Sequence, residues 1–147
     1  MNIKNQPSSQ QKTTISSRQI ESLYALGFEL YGAGEFEKAA DLFRLLCLYD
    51  PEKPRNWIAL GGANQQRRAY QSAIAAFGMA SFQDPLSPEP RLYAAHSFID
   101  LKELPAALEI TKQALQLCEN RDDKKEVQSR AVALLQALER YTQESNH

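Results

Sequence analysis

The chain has 147 residues, 43% of them hydrophobic and 24% charged, with 17 Lys and Arg against 18 Asp and Glu for a net charge of −1. A globule of this length hides roughly 68–70% of the surface of its unfolded chain, so a single core can hold it without disulfides or metal. The balanced charge supplies no basic field for a phosphate backbone, and no nucleic acid partner is expected.

Cys47 and Cys118 sit in apolar helical contexts, LLCLY and LQLCEN, with no Cys-x-x-Cys or Cys/His metal spacing around them. No metal or cofactor is expected, and a reducing compartment is the simpler reading. No apolar run approaches the ~20 residues that a bilayer span needs, and the opening MNIKNQPSSQQKTT lacks the apolar centre of a signal peptide. The expectation is a cytoplasmic protein with no stable membrane insertion.

Residues 1–17 are rich in Gln, Ser, Thr and Asn, with too little apolar surface to offset their ordering entropy, and read as a flexible tail. Ser16 and Gln19 have the form of a capping box, and Ile20, Leu23, Tyr24, Gly27, Phe28, Leu30 and Tyr31 follow at helical spacing. This first helix is expected to end at Gly32 to Gly34. A second amphipathic segment runs from Phe36 to Tyr49 and stops at Asp50-Pro51. The arrangement then recurs: Pro54 opens a helix to about Arg68, and a partner runs from Tyr70 to Asp84 before Pro85. Pro88 and Pro90 open a fifth helix, Leu101 to Glu103 form a turn, and Pro105 starts a sixth reaching about Cys118. The fold class is therefore all-α.

Pro51 and Pro85 are 34 residues apart, and the same offset relates Gly27 to Gly61, Ala39 to Ala73 and Phe43 to Phe77. A further 34 gives Ala95 and Ala107, but Thr111 in place of Phe and Glu119 in place of Pro. Trp57, Leu60, Gly61, Ala73, Phe77, Ala80 and Pro85 resemble the tetratricopeptide pattern, with Asn64 departing at its Tyr position. Leu23, Leu26, Gly27, Leu30, Ala39, Phe43 and Pro51 repeat it, with Leu46 where a small residue is usual. Three helical hairpins follow from this, at about 20–53, 54–87 and 88–121 within residues 18–121, stacked as a curved solenoid. Small residues at Gly27, Gly61 and Ala95 let paired helices approach, and Phe43 and Phe77 are expected to fill the gap toward the next hairpin.

Residues 122–147 complete the chain as a capping helix and tail. Asp122 and Asp123 suit its N-terminus, and Val127, Ala131, Leu134, Leu135, Leu138 and Tyr141 form one stripe opposite a charged side.

His96 and His147 are the only histidines, no Ser or Cys has a base nearby in sequence, and no phosphate loop is present, so no enzymatic activity is expected. The carboxylates read as solvated or dipole-complementing charge. The alternative to chemistry is a groove. On the repeat frame, the first helix of each hairpin turns Tyr24, Phe28 and Tyr31, then Ile58, Gly62, Gln65 and Gln66, then Leu92, His96 and Ile99 toward the concave side, with Tyr93 beside them. The three aromatics could be core, but Leu23, Leu26, Gly27 and Leu30 already supply the seam-facing stripe, which leaves the rings for an apolar ligand. Gly62 serves either helix packing or an open pocket. His96 reads more simply as a hydrogen-bonding residue than as a switch.

The first copy, YxLGxxLYxxGxFExAAxLFxxLCxYD, the second, WxxLGxxxQ with AYxxAIxAFxxA, and the third, PxxxAAxxF, resemble the class II chaperones of bacterial type III secretion systems over about residues 20–120. The resemblance implies a cytosolic bacterial protein that binds a secreted translocator or effector and keeps it soluble before export. It further implies that an extended client segment, often of Pro-x-Leu-x-Pro pattern, lies in the concave groove. Carried over, Tyr24, Phe28, Tyr31 and Phe36 wall the first pocket, with Ile58, Gln65, Leu92, Tyr93 and His96 further along. Relatives generally carry a longer N-terminal extension that contributes to dimer contacts, so a weak homodimer and a monomer both stay open. The alternative function is a general repeat scaffold or assembly factor; the version that clamps a carboxylate is disfavoured because Tyr24 and Phe28 stand where ammonium and amide donors are needed.

Overall fold

The computed structural model describes residues 15–146. The Ser16 Oγ accepts from the backbone N–H of Gln19 at 3.1 Å, and the Gln19 side chain accepts from the Ser16 N–H at 2.9 Å, so the capping box forms and opens α1 (Ser17–Gly32). Then come α2 (Phe36–Tyr49), α3 (Pro54–Gln66), α4 (Tyr70–Gln83), α5 (Glu89–Asp100) and α6 (Leu104–Leu117). A 3₁₀ turn at Asp122–Lys124 leads into α7 (Lys125–Ser145), and no strand occurs among the described residues. Asp122 and Asp123 occupy that turn, and no side chain caps α7. Most of the tail assigned to residues 1–17 lies outside the described residues, but Ile15 packs against the core of the first hairpin.

The three hairpin turns share one conformation. Gly34, Arg68 and Lys102, each 34 residues from the next, have φ of 79°, 67° and 62°. The following N–H in each turn donates back to the helix, Glu35 to Leu30, Ala69 to Asn64 and Glu103 to Phe98, which reproduces the long bond of a Schellman cap. Only Gly34 carries the residue type that makes this left-handed conformation free of strain.

Between hairpins the chain is held by side chains clamping the proline junctions. Trp57 Nε1 donates to the carbonyl of Pro51 at 2.7 Å, and one repeat later Arg91 donates to that of Pro85 at 3.2 Å. Asn56, fully buried, donates to the Asp50 carbonyl at 3.0 Å.

The seam of each hairpin is closed by a ring. A Cβ built on Gly27 would lie 2.8 Å from Cζ of Phe43, and one on Gly61 would lie 2.7 Å from Cδ1 of Phe77. Both rings are almost wholly buried. They fill the space their own hairpin's glycine leaves and also meet the following unit: Phe43 shares a buried cluster with Ala59, Leu60, Ala63 and Ala76 of the second hairpin, and the Phe77 ring lies 5.6 Å from that of Tyr93. In the third hairpin Ala95 and Thr111 stand at these two positions, both buried, with the Thr111 hydroxyl donating to the Ala107 carbonyl at 2.7 Å. A methyl has been added on one side of the seam and a ring removed on the other, so the third copy is compensated rather than degraded. Leu26 does not face the seam: it is 45% exposed and borders a shallow cleft with Leu30, Leu42 and Leu45 on the outer side of the first hairpin.

The third hairpin is tied to α7 by Val127 and Ala131, which share a cluster with Leu92, Ala114 and Cys118. Lys124 adds an ion pair to Glu89 at 2.6 Å. Burial pushes the Glu89 carboxyl up, but hydrogen bonds from Lys124, its own backbone N–H and Ser87 outweigh it and hold it below 4.5. The hydrogen bond to Glu89 raises Lys124 above 10.5. Both cysteines are buried thiols; burial raises Cys47 to about 12 and pushes Cys118 up as well, so neither is ionised near neutrality.

Two outcomes follow for stability. Gly27→Ala or Gly61→Ala forces a methyl into a ring and should cost about 1–3 kcal/mol in urea unfolding, while pairing Gly27→Ala with Phe43→Leu should recover part of that loss. For the ion pair, the depressed Glu89 value means its contribution is complete above pH 4.5 and fades as pH falls through the folded-state value. The raised Lys124 value keeps the other end charged until pH rises past 10.5. Glu89→Gln should therefore cost about 0.2–1 kcal/mol at pH 7 and progressively less as pH falls through the folded-state value of the carboxyl; a loss that does not shrink on acidification would show that packing, not charge, is what Glu89 supplies.

Candidate functional site

Closing the seams with Phe43 and Phe77 leaves the other face of α1, α3 and α5 free, and a cavity of about 360 Å³ opens between them. Its first wall is α1, where Tyr24, Phe28 and Tyr31 fall at i, i+4 and i+7. The rings lean on one another, with Tyr24 and Phe28 centroids 4.9 Å apart at 62° and Phe28 and Tyr31 6.4 Å apart at 55°. Phe28 also rests edge-on against the buried Phe43 ring at 5.3 Å, yet keeps 45% of its surface exposed. The question left open by the sequence has a mixed answer: the rings pack at their backs and present their outer surface to the cavity.

The floor is a single stripe of α3: Arg55, Ile58, Gly62 and Gln65, with Ala59 beside it. Tyr93 of α5, backed by Phe77, forms the far wall. Polar groups mark the two ends of the stripe. Arg55 pairs with Glu21 of α1, and its guanidinium lies 4.3 Å from the centre of the Tyr24 ring. The hydrogen bond from Arg55 is the main cause that holds the Glu21 carboxyl below its ordinary range, and the same bond raises Arg55. At the other end Gln65 donates to the Tyr93 carbonyl at 3.0 Å and to the Ser97 hydroxyl at 2.9 Å, joining α3 to α5. Neighbouring first helices of the hairpins are thus cross-linked at the rim, α1 to α3 by charge and α3 to α5 by an amide, and the space between them stays open.

Of the residues expected in the groove, the cavity brings together Tyr24, Phe28, Tyr31, Ile58, Gly62, Gln65 and Tyr93. Five others are elsewhere. Leu92 is a correction: at 3% exposure it is part of the core cluster formed with α6 and α7, because the terminal helix packs against the third hairpin. Phe36 stands behind the wall, its ring 5.2 Å from that of Tyr31. Gln66 and His96 are exposed and do not border the cavity. Ile99 lines a different cleft, of about 610 Å³, with Leu104 and with Leu134, Leu138 and Tyr141 of α7.

Arg55, Ala59 and Phe77 are cavity residues that the pattern reading did not place in the groove. A signal for Arg55 existed: it lies one helical turn before Ile58 on the same face, and 34 residues after Glu21. No group of three or more His, Cys, Asp or Glu side chains able to hold a metal occurs among the described residues. None of the described helices is long and apolar enough to cross a membrane.

Three stacked helical hairpins with a capping helix and an apolar trough define a tetratricopeptide-type solenoid. A tetratricopeptide-repeat family matches residues 20–53. Low calcium response locus protein H of Yersinia pestis is 30% identical over 124 residues, covering 84% of this chain and 74% of that protein. The type III secretion chaperone SycD of Yersinia enterocolitica, solved with a peptide of the translocator YopD, is 29% identical with a TM-score of 0.80, over 88% of this chain and 98% of that one. PcrH of Pseudomonas aeruginosa, solved with the chaperone-binding region of PopD, is 28% identical with a TM-score of 0.82, over 88% and 97%. The chain belongs to the class II chaperones of bacterial type III secretion systems.

Proposed function

We propose that this chain binds an extended apolar segment of a secreted translocator or effector in the cavity between α1, α3 and α5, and holds that client soluble in the bacterial cytoplasm until export. The observation that carries the reading is the open trough walled by Tyr24, Phe28, Tyr31 and Tyr93 and floored by Ile58 and Gly62. SycD and PcrH, whose folds this chain shares, are solved with segments of the translocators YopD and PopD.

The dimensions suit such a guest. Arg55 and Gln65 are ten residues apart on one helix, about 15 Å along its axis, which matches about five residues of polyproline-II chain at about 3.1 Å each. Each Leu-sized side chain fully buried among the rings contributes about 1.5–3 kcal/mol before ordering costs, and a segment stiffened by prolines loses less entropy on binding. Cations suited to carboxylate or phosphate capture are scarce in the trough: Arg55 is already paired with Glu21.

The test is co-expression with a candidate secreted translocator of the same secretion system. The client should be soluble and copurify with wild type. Tyr24→Ala with Tyr31→Ala should weaken capture at least about tenfold, the equivalent of one lost anchor contact, while helical content by circular dichroism holds. Collapse of the helical signal in that double variant would assign the two rings to the core instead.

A further inference from the structure

Phe28, Gly62 and His96 share one repeat position, each 34 residues from the next, and of these Phe28 and Gly62 border the cavity. The outer two carry rings; the middle one carries nothing. Gly27 and Gly61 are glycine because a ring fills the place of their Cβ, but a Cβ on Gly62 would meet no atom within 4 Å. Packing therefore does not require glycine there. Nor does the backbone, since Gly62 is in the interior of α3 and has no positive φ. A helix-interior glycine is less stable than alanine, so this one comes at a cost to the fold. What it leaves is a notch in the trough floor, flanked by the rings of the two walls.

One turn along the same stripe, Gln65 supplies a second observation. Both hydrogens of its amide are engaged, one by the Tyr93 carbonyl and one by the Ser97 hydroxyl. A carbonyl can only accept, so the amide nitrogen must face Tyr93, and Oε1 is the end left over. No hydrogen bond to that oxygen is made among the described residues, and it is not among the buried unpartnered atoms. A free acceptor therefore stands beside an apolar notch.

We propose that Gly62 is the specificity-determining residue of the trough. Its missing side chain admits one large apolar side chain from the client, up to the size of an aromatic ring, while Gln65 Oε1 accepts a main-chain N–H next to that side chain. This rests on the client-binding reading above and deepens it. The notch selects by size and the amide fixes the depth of the main chain.

The probes are three fluorescein-labelled peptides of the form Pro-Ser-X-Ser-Pro within a Gly-Ser frame, with X as Ala, Leu or Phe, measured by fluorescence anisotropy against the full chain. Wild type should bind the Leu and Phe peptides at least tenfold more tightly than the Ala peptide. Gly62→Leu should lose the Phe peptide by more than tenfold and the Leu peptide by less, with little change for Ala. Gly62→Ala should raise Tm by about 2–4 °C while weakening the Phe peptide, a gain in stability with a loss in binding that no packing role for Gly62 produces. Gln65→Leu should weaken all three peptides alike. Retained binding of the Phe peptide by a folded Gly62→Leu variant overturns the role of Gly62 and leaves the trough reading standing; failure of wild type to bind any of the three overturns both.

Discussion

The contact on which the rest of the structure depends is a ring against an absent methyl. Phe43 over Gly27 and Phe77 over Gly61 bring the two helices of a hairpin closer than any side chain on the first helix would allow. Because the ring comes from the second helix, the first is held by one face only. Part of its remaining surface stays open in the first two hairpins, and together with Tyr93 of the third that surface is the concave side. A ring contributed from the first helix instead would have turned the same apolar mass inward and left no trough.

The aromatic wall draws on this arrangement. Phe28 leans on Phe43, so the buried ring that closes the seam is also the backstop that holds the exposed ring upright. Preorganisation of this kind lowers the ordering cost that a guest would otherwise meet, since the side chains it touches already have neighbours on their far side. The rim is fixed by polar means: a guanidinium–carboxylate pair between α1 and α3, and an amide between α3 and α5. Those bonds span between first helices without filling the space below them, as apolar contacts between the same helices would.

The end of the solenoid follows another rule. At the third hairpin, α7 supplies Val127 and Ala131 to a cluster that includes Leu92. A fourth hairpin is replaced by one long amphipathic helix whose outer side is polar, which is how a stack of units that cannot bury their own faces comes to a stop. Glu89 stands at the repeat position of Glu21, and its partner Lys124 lies one residue past the position equivalent to Arg55, so a carboxylate–cation pair ties units together at both ends of the stack.

Much of this was legible in residue order alone. Prolines at 51 and 85 marked where helices stop, the Ser16–Gln19 box marked where the first begins, and the 34-residue recurrence of Gly, Ala and Phe defined the hairpins, because these signals act through local backbone geometry and need no knowledge of neighbours. The left-handed turns at Arg68 and Lys102 were hidden, since neither residue type announces a positive φ. Tertiary structure alone decided that Leu92 is core while its equivalents Tyr24 and Ile58 border the trough, that Ile99 belongs to a separate cleft, and that Arg55 joins the site. Periodicity assigns a residue to a face of its helix; whether that face meets another helix or open space depends on what the chain places opposite it, and here α7, more than a full repeat away in sequence, made the difference.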